Sequence, residues 1–149
     1  MMPVEVYVTE SESETQALGA AFLLRCRVGD VVALSGPLGA GKTAFVRGAV
    51  RAAGERGTVR SPTFQLMHRY ESDPPILHAD LYRLESAVTG GEFGLEDELD
   101  VTVAFIEWPE RRPALFKGER ATWWVEFRFA GNDAREIEIR PPSDPDSGP

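Results

Sequence analysis

The chain has 149 residues and a mass of 16.4 kDa, 42% of them hydrophobic and 27% charged, which is the composition of one globular domain that buries about two-thirds of its unfolded surface. Sixteen basic residues against twenty-four acidic ones leave a net charge of −8, the wrong sign for a protein that grips DNA or RNA unaided through phosphate contacts. The single cysteine, Cys26, excludes an internal disulfide, and no residue cluster has metal-ligand spacing, so neither a disulfide-stapled nor a zinc-built domain is expected.

The N-terminal stretch MMPVEVYVTE has no basic start leading into an apolar run, and nowhere does the chain approach a membrane-spanning apolar length. A cytoplasmic protein without membrane contact is expected. Val4–Val8 alternates as a short strand does. Ser11 with Glu14 three residues later fits a capping box, and Ala17, Leu18, Ala21, Phe22 and Leu24 then recur at helical spacing. Val31–Ser35 is a continuous apolar run of strand length, as a buried central strand requires. Gly36–Thr43 is a glycine-rich loop, followed by a helix that Gly54 stops. Phe64–Tyr70 and Ile76–Ala79 read as strands joined through Asp73-Pro74-Pro75, and Val101–Ile106 as a second buried strand. Trp123–Phe129 and Glu136–Arg140 form a closing hairpin around Gly131-Asn132-Asp133, with Trp123, Val125, Phe127 and Phe129 on one core-facing side. Residues 1–140 are expected to form a single domain. Residues 141–149 have no core-forming side chain and are expected to be a disordered tail. The expected fold class is α/β, with three α/β/α layers and a mixed central sheet. Its parallel strands lie near Val31–Ser35 and Val101–Ile106, and a ligand is expected at their carboxyl ends.

The loop Gly36-Pro37-Leu38-Gly39-Ala40-Gly41-Lys42-Thr43 matches G-x-x-x-x-G-K-[ST] between a strand and a helix. Glycines let the backbone curl so that successive N–H groups converge on phosphate oxygens, and the following helix adds the positive end of its dipole. Lys42 supplies a cation to the β- and γ-phosphates, and the Thr43 hydroxyl a ligand to Mg²⁺. Fourteen of the sixteen basic residues are Arg, which makes a lysine in this position stand out. The only other lysine, Lys117, lies in Phe-Lys-Gly-Glu rather than in a guanine-reading N-K-x-D motif, so ATP is the expected nucleotide, and residues 1–140 are expected to be a single P-loop ATPase domain with the P-loop NTPase fold. A P-loop site also needs a carboxylate at the end of a neighbouring strand to complete the Mg²⁺ shell. Two residues qualify: Glu107, after the apolar run Val103–Ile106, and Asp80, after Ile76–Ala79.

Taken with Ser61-Pro62-Thr63-Phe64, His78-Ala79-Asp80-Leu81-Tyr82-Arg83-Leu84 and Glu107-Trp108-Pro109, the P-loop belongs to an ordered series. That series resembles the TsaE (formerly YjeE) family, the small bacterial P-loop ATPases of tRNA threonylcarbamoyladenosine biosynthesis. The motifs span Gly36–Pro109, and length and leading elements also fit. The resemblance implies that Lys42, Asp80 and Glu107 are catalytic, with Glu107 joining Thr43 as a ligand of Mg²⁺ and Asp80 placing or activating the attacking water near the γ-phosphate. It implies a switch at Ser61 and Thr63, with Trp108 beside the nucleotide and Glu12 near the adenine. Partners on this reading are the two proteins of the threonylcarbamoyl-transferase complex, with tRNA met only through them. Pro37 stands where the family often has Asp, and Phe64 where it often has Tyr. Neither position needs a polar side chain for phosphate cradling, so nucleotide binding is expected to survive both departures, while any hydrogen-bonding role of a hydroxyl at position 64 is in doubt.

Other residues have plainer readings. His78 is expected to pack or hydrogen-bond rather than act as a base, because phosphoryl transfer needs no imidazole. His68 reads as a half-exposed sheet residue, and the acidic run Glu92–Asp100 as a solvated helix end or a docking surface. A small-metabolite kinase is the rival enzyme, but its lid would need arginines, and Thr89–Asp100 has none. A module that holds ATP without turning it over is the other alternative.

Overall fold

A computed structural model describes residues 3–55, 67–82, 95–116 and 120–143. Seven strands form one sheet in the order β1-β7-β6-β2-β5-β4-β3: β1 Glu5–Thr9, β2 Val31–Ser35, β3 Met67–Tyr70, β4 Ile76–Asp80, β5 Val103–Glu107, β6 Thr122–Phe129 and β7 Arg135–Arg140. The central block β6-β2-β5-β4 is parallel, while β3, β7 and β1 attach by antiparallel pairing. The sheet is therefore mixed, with its parallel core where the two apolar runs predicted it.

Alternation along the buried strands divides the interior into two cores. Val32, Leu34, Val103 and Phe105 face helices α1 (Glu12–Leu23) and α2 (Lys42–Ala52), together with Trp123, Val125 and Phe127. Val31, Ala104 and Ile106 face the other way, towards the short helix α3 (Leu95–Leu99) and the 3-10 turn Pro113–Phe116. Strands clad on both sides read as continuous hydrophobic runs rather than as alternation. This is the P-loop NTPase architecture, with the α2 layer carrying the glycine-rich loop.

Helix α1 opens as expected: Ser11 Oγ accepts from the Glu14 N–H at 3.1 Å, and the Glu14 carboxylate accepts from the Glu10 N–H at 2.9 Å. Its buried face keeps the predicted Phe22, with Leu18 packed at its edge, but otherwise differs from the predicted one. Thr15, Gly19, Phe22 and Leu23 are inside, whereas Ala17 and Ala21 are exposed and Leu24 is 86% exposed. The reason is a backbone-close crossing of α1 and α2. A Cβ on Gly19 would lie 2.0 Å from the Phe45 carbonyl oxygen, and one on Gly48 would lie 1.8 Å from that of Gln16. Gly19 and Thr15 share the inward side of α1 with Phe22 and Leu23, and the glycines set how closely that side approaches α2.

One strand boundary and one predicted core residue also differ. Strand β5 starts at Val103 because residues 100–102 close α3: the Val101 N–H and the Thr102 hydroxyl both donate to the Glu98 carbonyl. Phe129 leaves the core face predicted for it and is 53% exposed, with the Arg135 guanidinium 4.7 Å from its ring centre. His68 is exposed and stacks on Tyr70. In the acidic segment, Glu98 pairs with Arg69 at 3.2 Å and Asp100 with Arg120 at 2.8 Å, as a solvated helix end does. No helix among the described residues is long and apolar enough to cross a membrane.

Candidate functional site

The three strand ends that carry the predicted polar residues come out side by side. β2 ends at Ser35 and runs straight into the glycine-rich loop, while Asp80 and Glu107 close β4 and β5 as register partners. Side chains alternate along a strand, so Asp80 and Glu107 point to the same face as Ile76, His78, Val103 and Phe105, which is the face that carries α2.

Within the loop, Gly36, Gly39 and Gly41 take φ values of 139°, 79° and 103°, a region closed to most side-chain-bearing residues. A Cβ on Gly36 would also meet the Phe127 carbonyl oxygen at 2.5 Å. Gly41 is the N-cap of α2 and offers no side-chain cap hydrogen bond. Unlike α1, then, α2 presents its first N–H groups uncapped, which suits an anion. Leu38, Gly39, Gly41, Lys42 and Thr43 border a cavity of about 550 Å³. Ala40 instead anchors the loop by packing into the core, and Pro37 is exposed.

Lys42 is 4% exposed. Its ammonium donates to the Gly36 carbonyl at 2.8 Å and lies 3.9 Å from the centre of the Trp108 ring. Burial pushes its pKa below the usual lysine range, against the pull of Glu107, Asp80 and Glu110. Trp108 has φ 61° and ψ 53°, the only left-handed non-glycine backbone among the described residues. Its N–H donates to the Leu34 carbonyl at 3.2 Å, which ties the strained residue to β2. Tyr82 packs on the indole and Arg111 lies over Tyr82, so a stack runs from the lysine to the surface.

The two carboxylates are held differently. Asp80 Oδ1 accepts from the Tyr82 N–H at 3.0 Å, starting the turn after β4. Glu107 Oε2 is 2.5 Å from Nε2 of His78, a histidine with no solvent exposure, and the carboxylate itself is nearly buried. His78 thus hydrogen-bonds within the sheet, as its sequence context predicts.

Glu12 reaches the cavity wall from the first turn of α1, where it also pairs with Arg47 of α2 at 2.5 Å. Asp133 and Arg135, from the β6–β7 connection, border the cavity as well, and Arg135 donates to the Gly39 carbonyl at 3.3 Å. Sequence reading missed both. They sit almost a hundred residues from the loop, and only the antiparallel return of β7 brings them there. Ser61, Thr63 and Phe64 of the predicted switch, together with Lys117, lie outside the described residues.

The cavity wall carries Glu10, Glu12, Asp80, Glu107 and Asp133 against Lys42 and Arg135. A polyphosphate entering here meets more carboxylates than cations, so a hard divalent cation shared with hydroxyl and carboxylate oxygens would restore the balance. Thr43 and Glu107 supply the oxygen donors that Mg²⁺ takes. The donor set fits a nucleotide with its cation.

The family model described as threonylcarbamoyl adenosine biosynthesis protein TsaE matches residues 9–137. The chain is 39% identical over 105 residues to tRNA threonylcarbamoyladenosine biosynthesis protein TsaE of Rickettsia bellii, covering 69% of this chain and 73% of that one. It is 38% identical over 128 residues to the Streptomyces coelicolor protein of the same name, covering 80% and 83%. With the Bacillus subtilis protein it shares 33% identity over 131 residues, covering 87% and 80%. The crystal structure of Bacillus subtilis YdiB superposes with a TM-score of 0.76 at 27% identity, over 96% of this chain and 88% of that one.

Proposed function

This chain belongs to the TsaE family of tRNA threonylcarbamoyladenosine biosynthesis, and we infer that it is the pathway's ATP-binding and hydrolysing subunit, docking in a nucleotide-dependent way on the two-protein threonylcarbamoyl-transferase complex. The observation that carries this reading is the convergence of an uncapped α2 N-terminus, a buried Lys42 and two fixed carboxylates at one cavity.

On this reading the loop amides from Gly36 to Thr43 bind the β- and γ-phosphates, and Lys42 leaves the Gly36 carbonyl to follow them. Mg²⁺, when bound with ATP, neutralises charge that develops on the phosphate oxygens. Thr43 and Glu107 would hold it. Asp80 orients the attacking water, its own geometry set by the Tyr82 N–H. Trp108 excludes water from the lysine and lies at the base of a stack that ends at Arg111, which gives nucleotide occupancy a route to the outer surface. Glu12 flanks the adenine, and Ser61 and Thr63 sense the γ-phosphate. Contact with tRNA is indirect, in keeping with the net charge of −8.

ATP turnover by the purified protein, measured with and without the two transferase proteins and tRNA, tests the reading. A Lys42→Ala control runs beside each condition. The expected result is slow turnover alone, a rise with the partners, and none in the variant. Turnover indifferent to the partners would remove the coupling and favour a small-metabolite kinase. Binding without turnover in any condition would leave a nucleotide-gated module.

A further inference from the structure

We propose that His78 is a positioning residue for Glu107: its Nε2–H holds one carboxylate oxygen so that the other is presented to the cation and kept off Lys42. The proposal rests on the assignment of Glu107 to Mg²⁺ made above.

His78 occupies the middle of β4, on the face between Ile76 and Asp80, in a strand whose residues are all buried. It has no solvent exposure. An aliphatic side chain would fill such a place without any polar cost. The imidazole instead brings two nitrogens into the core. Nε2 meets Glu107 Oε2 at 2.5 Å, and Nδ1 has no hydrogen-bond partner among the described residues. Because a carboxylate only accepts, Nε2 carries the proton. One nitrogen is thus left unsatisfied so that the other can serve Glu107, a cost that shape alone does not explain.

The sheet register accounts for the reach. Phe105 is the β5 partner of His78, and Glu107 lies two residues further along the same face, the diagonal distance that a long side chain spans. Glu107 sits near a buried ammonium that it attracts. Yet Lys42 donates to the Gly36 carbonyl, and among the described residues no carboxylate forms an ion pair with it. Tethering Oε2 to the sheet keeps Glu107 from collapsing onto Lys42, which would neutralise the phosphate-binding cation and remove a metal ligand together. Outer partners of metal-binding side chains act in this way elsewhere, and their loss commonly weakens metal affinity by about 10- to 100-fold.

Titration of the full-length protein and a non-hydrolysable ATP analogue with Mn²⁺, following the EPR signal of the free ion, tests this without relying on turnover. His78→Leu removes the donor and fills the space. His78→Asn keeps an amide too short to reach Glu107, and His78→Gln carries an N–H close to the place of Nε2. The expected result is Mn²⁺ affinity lowered by about tenfold in the Leu and Asn variants and restored to within about threefold of wild type in His78→Gln, all three melting cooperatively. If His78→Leu misfolds, the Asn and Gln pair still decides. Wild-type affinity in His78→Asn would overturn the proposal, and so would a His78→Gln variant as weak as His78→Asn. If the wild-type protein itself fails to take up Mn²⁺ with the nucleotide, the metal assignment of Glu107 falls first and takes the proposal with it.

Discussion

Asp80 and Glu107 are register partners at the ends of two adjacent parallel strands, so their carboxylates enter the cavity side by side on the α2 face. Their tethers differ, a backbone N–H for Asp80 and an imidazole for Glu107, and so should the effects of changing them. Asp80→Asn keeps the size and the oxygen that accepts from Tyr82 but loses the charge that orients or activates water. It should lower the turnover number by about 100-fold or more, with nucleotide and Mg²⁺ affinities little changed. Glu107→Gln should instead raise the Mg²⁺ concentration needed for half-maximal nucleotide binding by about tenfold or more. Parallel measurements of turnover and of fluorescent-nucleotide binding across Mg²⁺ concentrations separate the two; equal effects on both quantities would show that the residues share one role.

The ligand-free protein should become more stable when Lys42 is replaced by Met, because a buried cation without an ion-pair partner among the described residues costs folding energy. Burial holds the Lys42 pKa below the ordinary lysine value of 10.5, so the unfolded chain binds more protons at this site between the lowered folded value and 10.5. Stability therefore rises with pH across that window in the wild type, as the ammonium is relieved, and Lys42→Met lacks this contribution. Denaturant unfolding of both proteins at neutral pH and at several alkaline values should show the stability gap closing as pH rises towards 10.5. A gap independent of pH would contradict the burial effect. All other titrating groups, Cys26 included, cancel in the comparison.

Much of this site is legible in the sequence because its chemistry is local. The strand–loop–helix around Gly36–Thr43 and the acids closing Ile76–Ala79 and Val103–Ile106 need only neighbouring residues to be recognised. What could not be read depends on tertiary approach. Arg135 reaches the Gly39 carbonyl only because β7 returns antiparallel beside β6. The inward face of α1 is legible only at Phe22 and Leu18: Gly19 marks the rest through an absent side chain, while Leu24, Ala17 and Ala21 point outward. Hydrophobic periodicity has no sensitivity to a crossing made by backbone contact.

That crossing makes its own prediction, with a sign that separates two effects. In an isolated helix, glycine to alanine is favourable by about 1 kcal/mol. Here a methyl group on Gly19 or Gly48 would sit about 2 Å from a carbonyl oxygen of the opposing helix, and backbone cannot step aside as a flexible side chain does. Gly48→Ala and Gly19→Ala should each destabilise the protein by about 1–3 kcal/mol, read as a lower urea midpoint with an unchanged m-value. Because α2 begins at Lys42, displacement of that helix should also weaken nucleotide binding. A stabilised Gly48→Ala variant would mean that the helices are further apart than described.

Cys26 offers a test of packing beyond the site. Burial, with Asp30 adding to it, pushes its thiol from 9.0 to about 12, although the residue is not wholly enclosed. Only thiolate reacts with disulfide reagents, and between those two pKa values the thiolate fraction at pH 8 falls by about a thousandfold. The native protein should therefore react with such a reagent about 100- to 1,000-fold more slowly than the urea-unfolded chain. The same shift works against stability in alkali: the folded state keeps its proton while the unfolded thiol ionises above 9, so this contribution is intact below pH 9 and is lost as pH climbs towards 12. Cys26→Ala should remove that alkaline loss. Native reaction as fast as in urea would place Cys26 on an open surface rather than against the core beneath α1.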